Sequence, residues 1–456
     1  MTDKKVINRV IKGLSAGALG QIVTVVIQLV AVPILLNYWG VIQYGEWIVI
    51  SAVTQYLALS NLGFTASAGN AMTTAFSNGD GRRLVEVLQS IFVLYLSLFC
   101  FVGIIVFTLL AQIDFQQLFQ LNYHTNNDVM IILYLMSFYV LLCIFGGLFD
   151  AIYRANLKVA YFITIQNTIR LAEFLVLIVI VICGGNTKQV AIGYVTTRII
   201  AYIFLYFQTL KVCRYWELGF SKASIENIRE LFLPSLAFMA VPLGGMLNVQ
   251  GTTLVVSNLL GPVAVVTLST GRTITRLSFQ ILEQTKTVFW PEISASIGTG
   301  KMTLARNLHR KLFGASFWIS ICVVVTLILS GEELISVWTQ NQVTYNSSFM
   351  NLLFIGIFVN STWYVSSVIQ MATNTHMKQS ILYIFANVFT VILAMTTAPF
   401  LGLESIGIAL IICEIIMAIY VLPASLRYLS ESPTTFFIEL LRIPFTFYHL
   451  LQRKIR

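Results

Sequence analysis

The chain has 456 residues, 57% of them hydrophobic and only 10% charged, with a formal net charge of +9. Soluble domains carry about a quarter charged residues, so water is excluded as the solvent for most of this chain and an all-α membrane protein is expected. The positive balance would point to nucleic acid in a soluble protein, but here it is spread as a topology signal and implies no nucleic-acid partner.

Apolar runs recur along the whole chain, each near the roughly 20 residues that a helix needs to cross a hydrocarbon core of about 30 Å. The predicted spans begin near residues 14, 42, 84, 129, 159, 189, 230, 262, 312, 347, 379 and 404, about twelve in all. A β-barrel would show shorter segments alternating apolar and polar, a pattern that is absent. The basic opening Lys4, Lys5, Arg9 and Lys12 leads into a full-length span with no small-residue cleavage site, so the first helix is expected to stay as an anchor. With the N-terminus inside, every Lys and Arg except Arg170, Arg198, Arg272, Arg276 and Lys188 falls on the cytoplasmic side. The positive-inside rule is then met by an even number of spans with both ends cytoplasmic.

The basic stretch from Lys211 to Arg229 divides the chain into two sets of about six helices. The expected organisation is a bundle over 1–212, a cytoplasmic loop over 213–229, a second bundle over 230–430 and a tail over 431–456. Many transporters are built from such repeats, with the substrate site near the bilayer midplane. The tail mixes Phe436, Phe437, Leu440, Leu441 and Phe445 with Arg442 and Arg453, which reads as an amphipathic helix on the cytoplasmic leaflet. External loops are short, the longest being 112–128 and 332–346, and leave no room for a soluble catalytic domain.

An ionisable side chain near the bilayer centre costs on the order of 3 kcal/mol, so it faces a bundle interior or a wet cavity. Arg170, Arg198 and Arg272 lie about nine to eleven residues into their spans, near mid-membrane at 1.5 Å per residue, and Arg276 is one turn from Arg272. Guanidinium binds phosphate oxygens bidentately and stays charged, so these four are the candidate ligands for an anion, a diphosphate above all. The competing reading is internal pairing, of Arg170 with Glu173 at i+3 and of Arg198 or Arg272 with Glu414, and for Arg276 and Glu283 simple reach to the cytoplasmic interface. Glu173, Glu283 and Glu414 are also candidates for coupling to H+ or Na+. The histidines lie in loops or at span ends, and no catalytic set, cofactor site or metal spacing appears among the six cysteines.

Pro234, Pro242, Gly244 and Gly245 loosen one helix and mark either a hinge or ordinary packing around glycine. Gln21, Thr24 and Gln28 share one helix face and fit either a polar lining or interhelical hydrogen bonding. Trp363 and Tyr364 fit sugar stacking or core packing.

Tyr38-Trp39-Gly40 with Tyr44-Gly45, Asn61-Leu62-Gly63-Phe64, Asn78-Gly79-Asp80, the Tyr153–Lys158 loop, Leu260-Gly261-Pro262 and Phe289-Trp290-Pro291-Glu292 follow one another in an order that resembles the O-antigen (Wzx-type) flippases. These belong to the multidrug/oligosaccharidyl-lipid/polysaccharide exporter (MOP) superfamily. The chain departs from that family at Asn61, usually Asp, and at Asn70, often basic. The resemblance implies a MATE-like fold of two six-helix bundles around a cationic cavity. It also implies export of undecaprenyl-diphosphate-linked glycan to the periplasmic leaflet of a bacterial inner membrane by a monomer. No enzyme activity is implied, and other polysaccharide-assembly membrane proteins become candidate partners beside membrane lipids. Rivals are a multidrug/cation antiporter of the same superfamily, which would need more mid-membrane carboxylates than arginines, and a polysaccharide polymerase or ligase, which would need a long charged external loop. A major-facilitator transporter is a weaker match, since the spacing of Gly79, Asp80, Gly81, Arg82 and Arg83 is compressed.

Overall fold

The computed structural model describes residues 3–61, 63–110, 112–373 and 375–440. Among these residues there is no strand. The helices are α1 Asp3–Gln55, α2 Phe64–Ser77, α3 Gly81–Leu110, α4 Phe115–Leu118, α5 Asn126–Ile144, α6 Gly146–Ala155, α7 Val159–Ile182, α8 Thr187–Val212, α9 Ile225–Met246, α10 Thr252–Gly298, α11 Met302–Trp338, α12 Ser347–Tyr364, α13 Val368–Ala372, α14 Met377–Leu401 and α15 Leu403–Tyr428. A 3-10 turn at Tyr56–Asn61 follows α1, and a π-turn at Leu247–Gly251 joins α9 to α10.

Ten segments of the described residues are long and apolar enough to cross a membrane. Two of them, Ser15–Ala58 and Pro242–Lys286, run for 44 and 45 residues, about 66 Å of helix at 1.5 Å per residue and roughly twice the depth of the hydrocarbon core. Each is interrupted by one glycine outside helical geometry, Gly40 at φ 72°, ψ 175° and Gly261 at φ 82°, ψ 172°. That region is open to glycine and strained for any L side chain. Divided there, the ten segments give the twelve passes read from hydropathy, and the second and eighth begin beside the expected positions near 42 and 262. The first two passes and the seventh and eighth thus share one device, a long helix turned by a single glycine of matching backbone angles.

Packing divides the chain into two compact units, Met1–Met246 with Val256–Val266, and Leu247–Val255 with Thr267–Arg456. In unit 1, α2 lies on α6, α1 on α7, and α9 on α2 and α3. Phe64, Leu88, Tyr95, Leu148, Ile152 and Tyr153 form its buried core. The expected inter-bundle loop is docked on this unit. Gln89 Nε2 donates to Glu217 O, the Lys222 amide to Gln89 Oε1 and the Ser224 amide to Ser90 Oγ, while Trp216 packs into the core.

In unit 2, α12 packs on α15 and α11, and α14 on α15. Leu312, Phe313, Val365, Val368 and Leu426 are buried together, and Phe436 and Leu440 of the tail join them. The start of the tail therefore belongs to the bundle core, and only Phe437 and Ile438 of its helical residues 433–440 show large exposed apolar side chains. The reason is periodicity: Phe436 and Leu440, four apart, fall on one helix face turned inward over His309 and Phe313. Arg306 Nε donates to Leu429 O, and Arg310 pairs with Glu431 just before this helix. The rest of the expected amphipathic segment, with Leu441, Arg442, Phe445 and Arg453, lies outside the described residues.

Candidate functional site

Helix α7 carries two of the predicted ionisable residues, and the structure sends them to different partners. Glu173 meets Arg198 of α8, not Arg170 on its own helix. Arg198 Nε donates to Glu173 Oε1 at 2.8 Å, and Nη2 donates to Glu173 Oε2 at 2.9 Å and to Tyr139 OH at 2.9 Å. Tyr139 OH in turn donates to Glu173 Oε2 at 3.1 Å, and the guanidinium lies over the Tyr139 and Tyr202 rings at 5.2 and 5.6 Å. The Arg198 and Glu173 side chains are 11% and 7% exposed. A fork-to-fork pair covered by two aromatic rings holds α5, α7 and α8 together, with Nε and both N–H groups of Nη2 engaged.

Arg170 is the twelfth of the 24 residues of α7, so it sits about 18 Å from either end of the helix. It is exposed, and its Nη1 donates to Thr24 Oγ1 of α1 at 2.6 Å. No carboxylate pairs with it among the described residues. One turn away, Asn167 Nδ2 donates to Ala16 O at 3.0 Å, and its amide lies where a Cβ on Gly20 would stand, 2.7 Å from Asn167 Oδ1. The bare glycine backbone lets α7 approach α1 closely enough for Arg170 to reach Thr24. Gln21 is exposed on this part of α1, and Gln28 Oε1 is buried without a hydrogen bond among the described residues.

In unit 2, Arg272 is committed to the backbone. Its Nη1 donates to Val249 O and Thr253 Oγ1, both at 2.9 Å, and Nη2 to Asn248 O at 3.1 Å and to Thr252 Oγ1. The two hydroxyls donate onward, Thr252 to Asn248 O and Thr253 to Val249 O. Both carbonyls belong to the π-turn, whose wider winding presents its acceptors to a neighbour. All four terminal N–H groups of Arg272 thus close rings on this turn. Arg276, one turn on, is exposed and has no hydrogen bond or ion pair among the described residues. The expected hinge residues Pro234, Pro242, Gly244 and Gly245 all lie within α9, and the departure from α-geometry comes just after them, at Leu247–Gly251. Asn248 Nδ2 also donates to Asn387 Oδ1 of α14 at 2.7 Å.

The two remaining carboxylates flank one dipeptide. Glu414 Oε2 accepts from Asn360 Nδ2 at 2.8 Å and from Trp363 Nε1 at 2.6 Å, with no cation paired to it among the described residues. Glu283 Oε2 accepts from Tyr364 OH. Trp363 is buried against Met417 and Val421, so the packing reading of this pair holds and both polar tips serve carboxylates. Lys286, assigned from the charge pattern to the cytoplasmic side, is 2% exposed, three residues after Glu283 on α10, with Nζ 4.1 Å from the centre of the Tyr364 ring. The sequence also gave no hint of Tyr139, Asn360 or Asn387 as partners, because each is assigned by tertiary contact alone. No group of three metal-ligating side chains occurs among the described residues.

Residues 10–296, well over half of the chain, match the family described as polysaccharide biosynthesis protein. The chain belongs to that family. No curated protein sequence matches it significantly. Among solved structures, the chain is similar to a multidrug resistance MATE family transporter of the MOP superfamily in its inward-facing conformation, with a TM-score of 0.71, 15% identity and coverage of 89% of this chain and 98% of that one. It is similar to the outward-facing conformation of such a transporter, with a TM-score of 0.54, 17% identity and coverage of 92% and 93%. A MOP superfamily transporter from Pyrococcus furiosus, described as having a binding pocket of reverse polarity, gives 0.55, 16%, 92% and 94%. At these identities the likeness establishes the fold, a MOP-type membrane transporter fold.

Proposed function

We propose that this chain moves a polyprenyl-diphosphate-linked oligosaccharide, such as an undecaprenyl-linked O-antigen repeat unit, from the cytoplasmic to the periplasmic leaflet by alternating access. The observation that carries the reading is Arg170, a mid-span guanidinium held, among the described residues, by one hydroxyl and no carboxylate. A cation at that depth is costly unless it meets an anion in service, and a diphosphate supplies the oxygens for its remaining N–H groups. Arg276 offers unit 2 a second guanidinium of the same kind. Arg198 and Arg272 act as structural cations in this reading, one closing a carboxylate and the other a π-turn.

A negative interior disfavours cytoplasmic anions by about 2.3 kcal/mol per charge per 100 mV, so outward movement of the diphosphate is downhill. Return of the emptied carrier is the step that a proton or sodium ion assists. Glu414 suits that role better than Glu173, which is neutralised by Arg198, or Glu283, which lies beside Lys286. The protein works in the inner membrane as a monomer with both termini cytoplasmic, alongside the other membrane proteins of polysaccharide assembly.

The test is complementation of a gene deletion. Arg170→Ala, inserted at normal level, is expected to lose surface glycan and to accumulate lipid-linked oligosaccharide on the cytoplasmic leaflet, while Thr24→Ala keeps part of the activity. Normal glycan in Arg170→Ala cells rejects the assignment.

A further inference from the structure

Residues 256–266 carry the Gly261 turn and belong to unit 1, whereas the chain on either side, Leu247–Val255 and the segment from Thr267 onward, belongs to unit 2. Much of the hold of this turn on unit 1 comes from the loop after α4. Ser257 Oγ donates to Phe119 O at 3.1 Å, Gln120 Nε2 donates to Asn258 O at 2.8 Å, and Asn258 Nδ2 donates to Leu118 O. Beside these bonds, a Cβ placed on Gly45 would lie 2.4 Å from Pro262 O, so two of the motifs singled out in the sequence, Tyr44-Gly45 and Leu260-Gly261-Pro262, are in direct contact.

The same loop is anchored from behind by a much stronger set of contacts. Glu46, fully buried, accepts from the backbone amides of Asn122, Tyr123 and His124 at 2.5, 2.6 and 3.1 Å, and its Oε2 lies 2.6 Å from His124 Nδ1. His124 Nε2 lies 2.6 Å from Thr187 Oγ1, at the first residue of α8. A carboxylate collecting three amides and an imidazole makes charge-assisted bonds, about twice as strong as neutral ones. The three bonds from Ser257, Gln120 and Asn258 are neutral hydrogen bonds, individually weaker. One side of the loop is built to stay and the other to let go.

We infer that loop 118–124 is a latch for the 257–262 turn, fixed through Glu46 and His124 and released at Ser257 and Asn258 once in each transport cycle. The inference rests on the alternating-access reading but not on the identity of the cargo. Gln117 and Val263 are exposed and contribute no side chain to the latch bonds, so they can be labelled without breaking it. In a chain with the six native cysteines replaced, spin labels at Gln117→Cys and Val263→Cys in liposomes are expected to report two distances. The longer one gains population when undecaprenyl diphosphate is added or when Gln120→Ala and Asn258→Ala are introduced together. Joining the same two cysteines with reversible bis-thiosulfonate linkers should abolish surface glycan in cells, and reduction should restore it. A single unchanging distance under all these conditions, or full glycan from the linked protein, overturns the latch. Two exchanging distances in a protein that never supports glycan keep the latch and reject the proposed cargo.

Discussion

Arg198 and Glu173 allow a test in which sign matters more than size. Removing one partner of a buried ion pair strands the other charge and costs about 3–5 kcal/mol, whereas replacing both by apolar groups of similar volume is often close to neutral. The Tyr139 hydroxyl complicates the second case. It donates to Glu173 and accepts from Arg198, so the double replacement leaves it half-buried and unpaired at about 1–3 kcal/mol. Arg198→Met alone is therefore expected to be strongly destabilised, Arg198→Met with Glu173→Leu to recover most of the loss, and addition of Tyr139→Phe to recover nearly all of it. Thermal unfolding of the detergent-solubilised protein, followed by size-exclusion chromatography, gives the ranking, and surface glycan measured in the same variants gives the function. A double variant no more stable than the single one refutes the pair as a structural unit. A stable triple variant that makes no glycan refutes the claim that Arg198 is not a ligand.

Lysine at position 272 has three donors at one point and cannot serve two carbonyls and two hydroxyls, so Arg272→Lys should lose at least one charge-assisted bond, about 1.5–3 kcal/mol; faster amide hydrogen exchange across 247–253 checks it. Gly45→Val should fail to accumulate as folded protein, because the side chain meets Pro262 backbone, whereas Gly13→Ala, with open space around its Cα, should be neutral by the same expression assay. Burial pushes the Cys213 thiol up to about 11, leaving little thiolate at pH 8, so maleimide should label exposed Cys183 readily and Cys213 only after unfolding.

How far the sequence could be read depended on how local each determinant is. Span number and the positions of the turns at 40 and 261 follow from run length and from glycine between apolar blocks, and both are local. The pairing of Glu173 is not. Spacing offered Arg170 at i+3, but Thr24 from α1 and Arg198 from α8 decide the outcome, and neither is a neighbour in sequence. Arg272 was visible as a mid-span cation, yet its partners are the acceptors of a π-turn that has no residue signature. Lys286 was assigned to the cytoplasmic side by the charge pattern, while the helix itself continues unbroken past it to Gly298. The tail shows the opposite case: its apolar periodicity was legible, but whether that face meets lipid or protein was settled by Phe313 and His309.

The single-glycine turns at Gly40 and Gly261 bear on how this protein can be mapped. Each reverses the polypeptide with almost no polar segment between the two passes, so neither offers a stretch that a protease can engage or an epitope can occupy. Insertional scanning should tolerate tags in the stretches after α3 and after α11 and reject them at 40 and 261. A topology map built from surviving insertions would miss both reversals, and with each of them the two crossings it joins, and so count eight crossings.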